Sequence, residues 1–126
     1  MIAADTSTWI AFLEGSTGGD VELLDKALEE RQVLMVPVVL TELLSDPQIS
    51  PDVAGTLCDI PRIEIQENYW ERAGTLRAHV LSKHRKARLG DVLIAQCCMD
   101  RGVPLITRDR DFRAFVDAAG LNILAV

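Results

Sequence analysis

Residues 104–112 read PLITRDRDF, an apolar run followed by alternating basic and acidic residues. The run at residues 104–107 predicts a short buried strand, and residues 111–119 predict a helix that ends at Gly120. Asp109 lies between them, two residues after the strand. This strand, acid and helix together predict one unit of an α/β fold.

The same alternation of strands and helices extends over most of the chain. The predicted strands cover residues 2–5, 33–36, 63–65, 104–107 and 121–126. The predicted helices cover residues 9–14, 21–31, 37–46, 53–58, 68–81, 91–101 and 111–119. Such an order implies right-handed crossovers, a parallel sheet and helices on both of its faces. We therefore predict an α/β fold, a three-layer α/β/α sandwich with a central, mostly parallel sheet.

Local residue types support these boundaries. Ser7 or Thr8 could cap the first helix, and Pro37 suits the first turn of another because its missing N–H costs nothing there. Gly102 is expected to end the helix that starts at Asp91. In the helix over residues 68–81, a predicted apolar face at helical spacing contains Trp70, Ala73, Leu76 and Val80.

Length and composition limit the class of protein. The chain has 126 residues, 48% of them hydrophobic and 25% charged, which excludes disordered and fibrous classes and predicts one domain over residues 1–126. No basic signal region precedes an apolar run, and no run could span a membrane, so we expect a cytoplasmic protein. The cysteines are expected to be reduced and buried; they are Cys58, Cys97 and Cys98.

The formal net charge of −6 argues against binding nucleic acid through a broad basic face. It does not argue against a metal-dependent nuclease, because a carboxylate pocket is negative until cations occupy it.

Three acids are predicted where strands end or helices begin. Asp5 ends the first strand, Asp109 follows the strand at residues 104–107, and Asp91 begins the central helix. In an open parallel sheet, ligands bind at the carboxyl ends of the strands, where helix N-termini also point. Each acid alone also has a structural explanation as a cap or turn residue.

The position of Asp91 on its helix favours a functional role. A rotation of about 100° per residue aligns it with Ala95 and Cys98, opposite the polar Gln96 and Asp100. Its carboxylate should therefore face inward, where it needs a basic side chain or a metal ion as a counter-charge.

Four acid-bearing segments follow one another along the chain. They are residues 2–7 (IAADTS), 39–44 (VLTELL), 90–95 (GDVLIA) and 105–112 (LITRDRDF). In order, spacing and total length they closely resemble the PIN-domain nucleases, particularly the VapC-like toxins. The pattern T-x-D-x-D-F after an apolar strand is the most specific part of this resemblance, which spans nearly the whole chain.

The resemblance implies one acidic metal pocket. It would be formed by Asp5, Glu42, Asp91 and Asp109, which would hold one or two Mg²⁺ or Mn²⁺ ions. Glu42 is included on the resemblance, because by itself it projects off the apolar line of its helix like a solvated acid. Hard divalent cations prefer carboxylate oxygens and water, so the residue types suit this role.

The resemblance also implies supporting residues around these acids. Thr6, Ser7 and Thr107 would orient the first acid or a water, as outer-shell groups do in metal sites. Ser7 could equally be a helix cap. Asp111 could replace Asp109 as the fourth acid or cap the last helix; Asp109 is preferred because it lies closer to the strand end.

Basic residues near Asp91 are candidates for contacting RNA phosphates, although such a run can also be a solvated face. The candidates are Lys83, Arg85, Lys86, Arg88 and Arg108.

The function implied is a Mg²⁺- or Mn²⁺-dependent endoribonuclease, the toxin of a toxin–antitoxin pair. Its partners would be an RNA substrate, a cognate antitoxin protein and a second copy of the chain in a homodimer. Two alternatives stay open. One is a Mg²⁺-dependent phosphatase or phospho-acceptor domain, although no D-x-D-x-T motif follows the first strand. The other is a catalytically inactive PIN-like protein-interaction module.

Overall fold

A computed structural model describes residues 1–124, in which short parallel strand segments form the sheet. The segment β1 (Ala3–Ala4) pairs with β2 (Leu105–Ile106), so that Ala3 lies opposite Leu105 and Ala4 opposite Ile106. Single parallel bridges extend the sheet on both sides; they join Ile2 to Val33, Met35 to Arg62 and Leu105 to Ile123.

These pairings fix the order of the segments across the sheet. From one edge to the other, the order is residue 62, residues 33–35, β1, β2 and residue 123. Residues 33–35 and residue 62 therefore extend the sheet on the side of β1, and residue 123 extends it on the side of β2. In parallel sheets with this topology, the crevice at the reversal point is the usual place for a ligand.

Seven α-helices and one 3₁₀ helix connect these segments within residues 1–124. They are α1 (Thr6–Leu13), α2 (Gly19–Glu29), α3 (Pro37–Leu44), α4 (Pro51–Asp59), α5 (Tyr69–Ser82), α6 (Leu89–Arg101), the 3₁₀ helix (Arg110–Phe112) and α7 (Arg113–Ala119). Helix α1 packs against α2 and α3, whereas α5 packs against α6 and α7. Right-handed crossovers place α1 to α4 and α5 to α7 on opposite faces. The predicted three-layer α/β/α fold is confirmed.

Several predicted helix ends are also confirmed. Pro37 occupies the first turn of α3. Gly102 ends α6 and Gly120 ends α7, with φ of 71° and 75°. This left-handed conformation costs glycine little because it has no Cβ.

Two predicted caps are wrong. Asp5, rather than Ser7 or Thr8, caps α1: its carboxylate accepts a hydrogen bond from the Thr8 N–H at 3.0 Å. Near the other end of the chain, Asp109 rather than Asp111 is the cap, because it accepts from the Asp111 N–H at 2.9 Å. In both cases, the acid directly after a strand satisfies the free N–H groups of the next helix.

Two predictions of burial are also wrong. Trp70 is 64% exposed, and its neighbour Tyr69 is buried in its place, with its hydroxyl donating to the Leu93 carbonyl at 2.6 Å. Cys58 is exposed, unlike Cys97 and Cys98. In the predicted strand over residues 63–65, Ile63 is buried and Ile65 is exposed.

One hydrophobic core contains residues from every helix and from both strands. Its largest fully buried side chains include Trp9, Leu24, Met35, Phe112 and Phe115. Within residues 1–124, none of the helices combines the length and the apolar character needed to cross a bilayer. Residues 125 and 126 of the predicted last strand lie outside the described residues.

Replacing Leu24 tests this packing. Leu24 is fully buried in α2, so Leu24→Ala should lower the free energy of unfolding by roughly 2–5 kcal/mol. Urea unfolding followed by circular dichroism measures the change. The matched control is Leu81→Ala, at a position in α5 that is 46% exposed, where the change should stay within about 1 kcal/mol. Equal losses in the two variants would contradict the packing described.

Candidate metal centre

The carboxyl ends of β1 and β2 lie side by side at the reversal of strand order. Asp5 directly follows β1, and its N–H donates to the Ile106 carbonyl at 3.1 Å. Thr107 directly follows β2, and Asp109 comes two residues later. The sheet topology thus places two of the predicted site residues beside the crevice where ligands bind in this type of sheet.

Asp5 lies at the base of this crevice with only 3% of its surface exposed. Its carboxylate accepts hydrogen bonds from the Thr107 hydroxyl at 2.7 Å, the Ser7 hydroxyl at 2.8 Å and the Thr8 N–H at 3.0 Å. Burial raises the pKa of Asp5, although these donors act in the opposite direction. The carboxylate is therefore fixed in orientation by groups from α1 and the end of β2.

Three further carboxylates meet beside Asp5. Asp91, Asp109 and Asp111 each offer an oxygen, and these oxygens all lie within 4.8 Å of one another. Asp91 is in the first turn of α6, while Asp109 and Asp111 lie at the start of the 3₁₀ helix. We call these three residues the acidic cluster.

The environment of Asp91 within the acidic cluster disfavours its ionised form. The pKa of Asp91 is raised to about 6, first because of burial and then because of the negative charge of Asp109. Asp5 and Asp111 add smaller effects of the same sign, whereas Arg88 acts in the opposite direction. A cation placed between these carboxylates would favour the ionised form of Asp91.

Glu42 lies at the margin of the cluster rather than within it. Its carboxylate accepts a hydrogen bond from the Thr6 hydroxyl at 2.8 Å and faces the backbone of Gly90, which precedes Asp91. The structure therefore brings Asp91 and Asp109 together, leaves Asp5 outside the cluster but close enough to raise the pKa of Asp91, and holds Glu42 beside Gly90 at the start of α6. Asp111, predicted as an alternative to Asp109, belongs to the same cluster as Asp109.

Most of the predicted RNA-binding residues lie close to acidic partners. Lys86 contacts Asp111 at 3.2 Å, and Arg85 contacts Asp117 at 3.1 Å. Both basic side chains are largely exposed, and so is Lys83. They lie on the loop that leads into α6.

Arg108 differs from the residues of this loop in the number of acceptors that its side chain contacts. Its guanidinium donates to both carboxylate oxygens of Asp20, at 2.8 and 3.0 Å, and to the Thr17 carbonyl at 3.1 Å. These acceptors occupy the guanidinium in the structure, and the role of Arg108 as an RNA contact stays a prediction.

Sequence reasoning missed Thr8 and Asp20. Thr8 donates its N–H to Asp5 and its hydroxyl to Asp20 at 2.9 Å, so it joins a site residue to a buried acid. The position of Thr8, three residues after an acid that precedes a helix, is a recognisable capping signal. Asp20 gives no such signal, because an acid in the first turn of a helix is ordinary.

The residue types at this site fit a divalent metal ion. Carboxylate oxygens from several elements are close together, their charges repel one another, and burial raises the pKa of two of them. Oxygen donors of this kind suit Mg²⁺ and Mn²⁺ rather than softer metals.

Comparison with known proteins identifies a matching family, a relative in sequence and similar solved structures. The family model of the PIN domain matches residues 2–117. The chain is 30% identical to Ribonuclease VapC5 of Mycobacterium tuberculosis (strain ATCC 25618 / H37Rv) over 131 residues, which cover 97% of this chain and 93% of that protein.

Two solved structures have a similar fold. One is VapBC-5 from Mycobacterium tuberculosis, a member of the VapBC family of toxin-antitoxin systems; the match has a TM-score of 0.69 and 25% identity and covers 99% of this chain and 98% of that one. The other is VapBC2 from Rickettsia felis bound to a DNA fragment from its promoter, with a TM-score of 0.73, 17% identity and 98% of each chain covered.

The raised pKa of Asp91 predicts how stability depends on pH. With a pKa of about 6 in the folded protein and 3.8 as the ordinary value, folded Asp91 keeps a proton between about pH 4 and 6 that the unfolded chain releases. Its contribution to stability therefore falls as pH rises through this range. Asp91→Asn removes the contribution, so its stability relative to wild type should rise from pH 4 to 6 and then level off.

Urea unfolding in the presence of a chelator, at one-unit steps from pH 4 to 7, measures this difference. The matched control is Asp25→Asn, on the exposed face of α2, which should show a smaller and flatter change. A difference between Asp91→Asn and wild type that does not change with pH would show that Asp91 titrates normally.

Proposed function

Because the chain belongs to the PIN domain family, we propose that it is a Mg²⁺- or Mn²⁺-dependent endoribonuclease and the toxin component of a toxin–antitoxin pair. The observation that carries this proposal is the convergence of Asp91, Asp109 and Asp111 beside buried Asp5, at the reversal of strand order. The ribonuclease and toxin assignments come from the relatives named above. The cluster supplies the chemical basis for them.

Asp5, Glu42, Asp91 and Asp109 are proposed as the residues that hold the metal. Asp111 is within the same cluster, but its contact with Lys86 partly compensates its charge. We therefore keep Asp109 as the fourth acid and give Asp111 a supporting role. When bound, a divalent cation supplies Lewis acidity that makes water nucleophilic at neutral pH and offsets charge on a phosphodiester.

The surrounding residues prepare this site before substrate arrives. Ser7, Thr8 and Thr107 keep the Asp5 carboxylate in one orientation, and Thr6 does the same for Glu42. Because these hydrogen-bond donors already hold the carboxylates in place, less free energy is needed to reorient them when a cation or a phosphate binds. Without a cation, the cluster repels RNA, so metal binding should precede RNA binding.

The loop that leads into α6 is proposed as the contact for RNA phosphates. Its candidate residues are Lys83, Arg85, Lys86 and Arg88. Their charges lie close to an otherwise acidic site, where they can attract an anionic substrate.

The proposed partners follow from the relatives and from charge. A cognate antitoxin would hold the enzyme inactive, and the net charge of −6 suits a partner with basic groups. We also propose a homodimer, a single catalytic domain over residues 1–126 and action on RNA in the cytoplasm. The phosphatase alternative gains nothing from the structure, whereas the inactive module differs from our proposal in binding no catalytic metal.

Metal-dependent RNA cleavage tests the function. Wild-type protein should cleave RNA with Mg²⁺ or Mn²⁺ and lose this activity with a chelator. Asp5→Asn and Asp91→Asn should each lower the rate by at least about 100-fold, since even outer-shell residues of metal sites cost roughly 10–100-fold. The measurement is cleavage of a labelled RNA under single-turnover conditions.

The control for this experiment is Asp25→Asn, which removes a carboxylate far from the cluster in sequence and should cleave like wild type. Metal-independent cleavage, or full activity in Asp91→Asn, would contradict the proposed mechanism. Mn²⁺ binding with no cleavage of any RNA tested would favour the interaction module.

Removing basic charge from the loop tests the proposed RNA contact. Arg85→Ala and Arg88→Ala should weaken binding of a single-stranded RNA and lower the slope of log affinity against log salt by about 0.7 for each lost phosphate contact. Fluorescence anisotropy with Ca²⁺ in place of Mg²⁺ measures binding at several salt concentrations.

Arg101→Ala serves as the matched control, because Arg101 carries the same charge at the opposite end of α6. Its salt slope should equal that of wild type. If Arg85→Ala and Arg88→Ala also keep the wild-type affinity and slope, the loop does not contact RNA.

A further inference from the structure

An ion pair between a buried aspartate and a partly exposed arginine lies next to the proposed metal centre. Asp20, in the first turn of α2, is 3% exposed and receives two hydrogen bonds from the Arg108 guanidinium. A third bond joins Arg108 to the Thr17 carbonyl. Arg108 directly follows Thr107, which donates to Asp5, so the pair attaches the end of β2 to the start of α2.

The backbone around Asp20 leaves space for this pair. Gly18 has a φ of 147°, and a Cβ there would lie 2.6 Å from an Asp20 oxygen and 2.9 Å from the Arg108 guanidinium. Any larger residue would have to displace one of the two charged groups. Glycine at this position is therefore required by the ion pair as well as by the backbone conformation.

Two hydrogen-bonded routes connect the pair to Asp5. On one side, the Thr8 hydroxyl donates to Asp20 at 2.9 Å while its N–H donates to Asp5 at 3.0 Å. On the other side, Thr107 next to Arg108 donates to Asp5 at 2.7 Å and accepts from the Asp109 N–H at 3.0 Å. The pair, Asp5 and the backbone of Asp109 thus belong to one closed network.

We propose that the Arg108–Asp20 ion pair is a positioning element of the metal centre, which fixes the end of β2 against α1 and α2 and thereby sets the separation of Asp5 and Asp109. This inference rests on the proposed function, because it assumes that these two acids bind the cation. In this role, neither Arg108 nor Asp20 touches the metal. They act through Thr8, Thr107 and the backbone between residues 107 and 109.

The chemistry of the pair suits positioning. Arginine presents its donors in a rigid planar fork, so a two-point contact with a carboxylate fixes direction as well as distance. The Arg108 hydrogen bond lowers the pKa of Asp20, which keeps the carboxylate ionised and bound. Loss of Arg108 leaves the buried Asp20 carboxylate without its counter-charge, and the local structure must shift to solvate it.

The test measures Mn²⁺ affinity by isothermal titration calorimetry on the full chain without RNA. Arg108→Met and Asp20→Asn should each weaken Mn²⁺ binding by about 10-fold or more, the usual effect of outer-shell changes. Gly18→Ala removes no charged group but displaces one member of the pair, and it should weaken binding in the same direction. It keeps the test decisive if the first two variants do not fold.

The matched control is Arg72→Met, which removes another arginine paired with an aspartate. Its partner Asp100 lies on the same helix as Asp91 but about 13 Å further along it. Arg72→Met should bind Mn²⁺ within about twofold of wild type, even if urea unfolding shows a similar loss of stability.

The proposal is overturned if folded Arg108→Met, Asp20→Asn or Gly18→Ala keeps wild-type Mn²⁺ affinity. It is also overturned if Arg72→Met loses as much affinity as they do, because the effect would then be general loosening. Wild-type protein that binds no Mn²⁺ would instead contradict the proposed function itself, and this inference with it.

Discussion

The burial of Asp5 at the carboxyl edge of the sheet is the constraint on which the site depends. A buried carboxylate needs donors, and this one receives them from Ser7 and Thr8 of α1 and from Thr107 after β2. These bonds join the two central strand segments exactly where their order reverses. Around this anchored charge, the cluster of Asp91, Asp109 and Asp111 creates a repulsion that a divalent cation would relieve.

Much of the fold followed from local signals. Alternating strands and helices predicted the three layers, and Pro37, Gly102 and Gly120 predicted helix boundaries that the structure confirms. Strand order did not follow from these signals, because only pairing shows that β1 lies beside β2. The inward position of Asp91 was predictable from helical periodicity, whereas its distance from Asp109 depends on long-range packing.

The wrong prediction for Trp70 has a physical cause. Trp70 and Tyr69 are adjacent aromatics, and the buried one is the residue whose hydroxyl finds a carbonyl acceptor. Asp5 caps α1 and also lies at the candidate metal centre, so the structural and the functional interpretations of this acid are compatible. The ion pair of Arg108 could not be predicted, because its partner Asp20 lies 88 residues away in the sequence.

The central claim is that the acids at this edge bind one or more divalent cations, and anomalous scattering from crystals soaked in Mn²⁺ tests it most directly. The account predicts an anomalous peak coordinated by Asp91 and Asp109, beside Asp5, with oxygen-only coordination. Saturating Mn²⁺ that gives no peak at this edge, or a peak bound only by other residues, would contradict it.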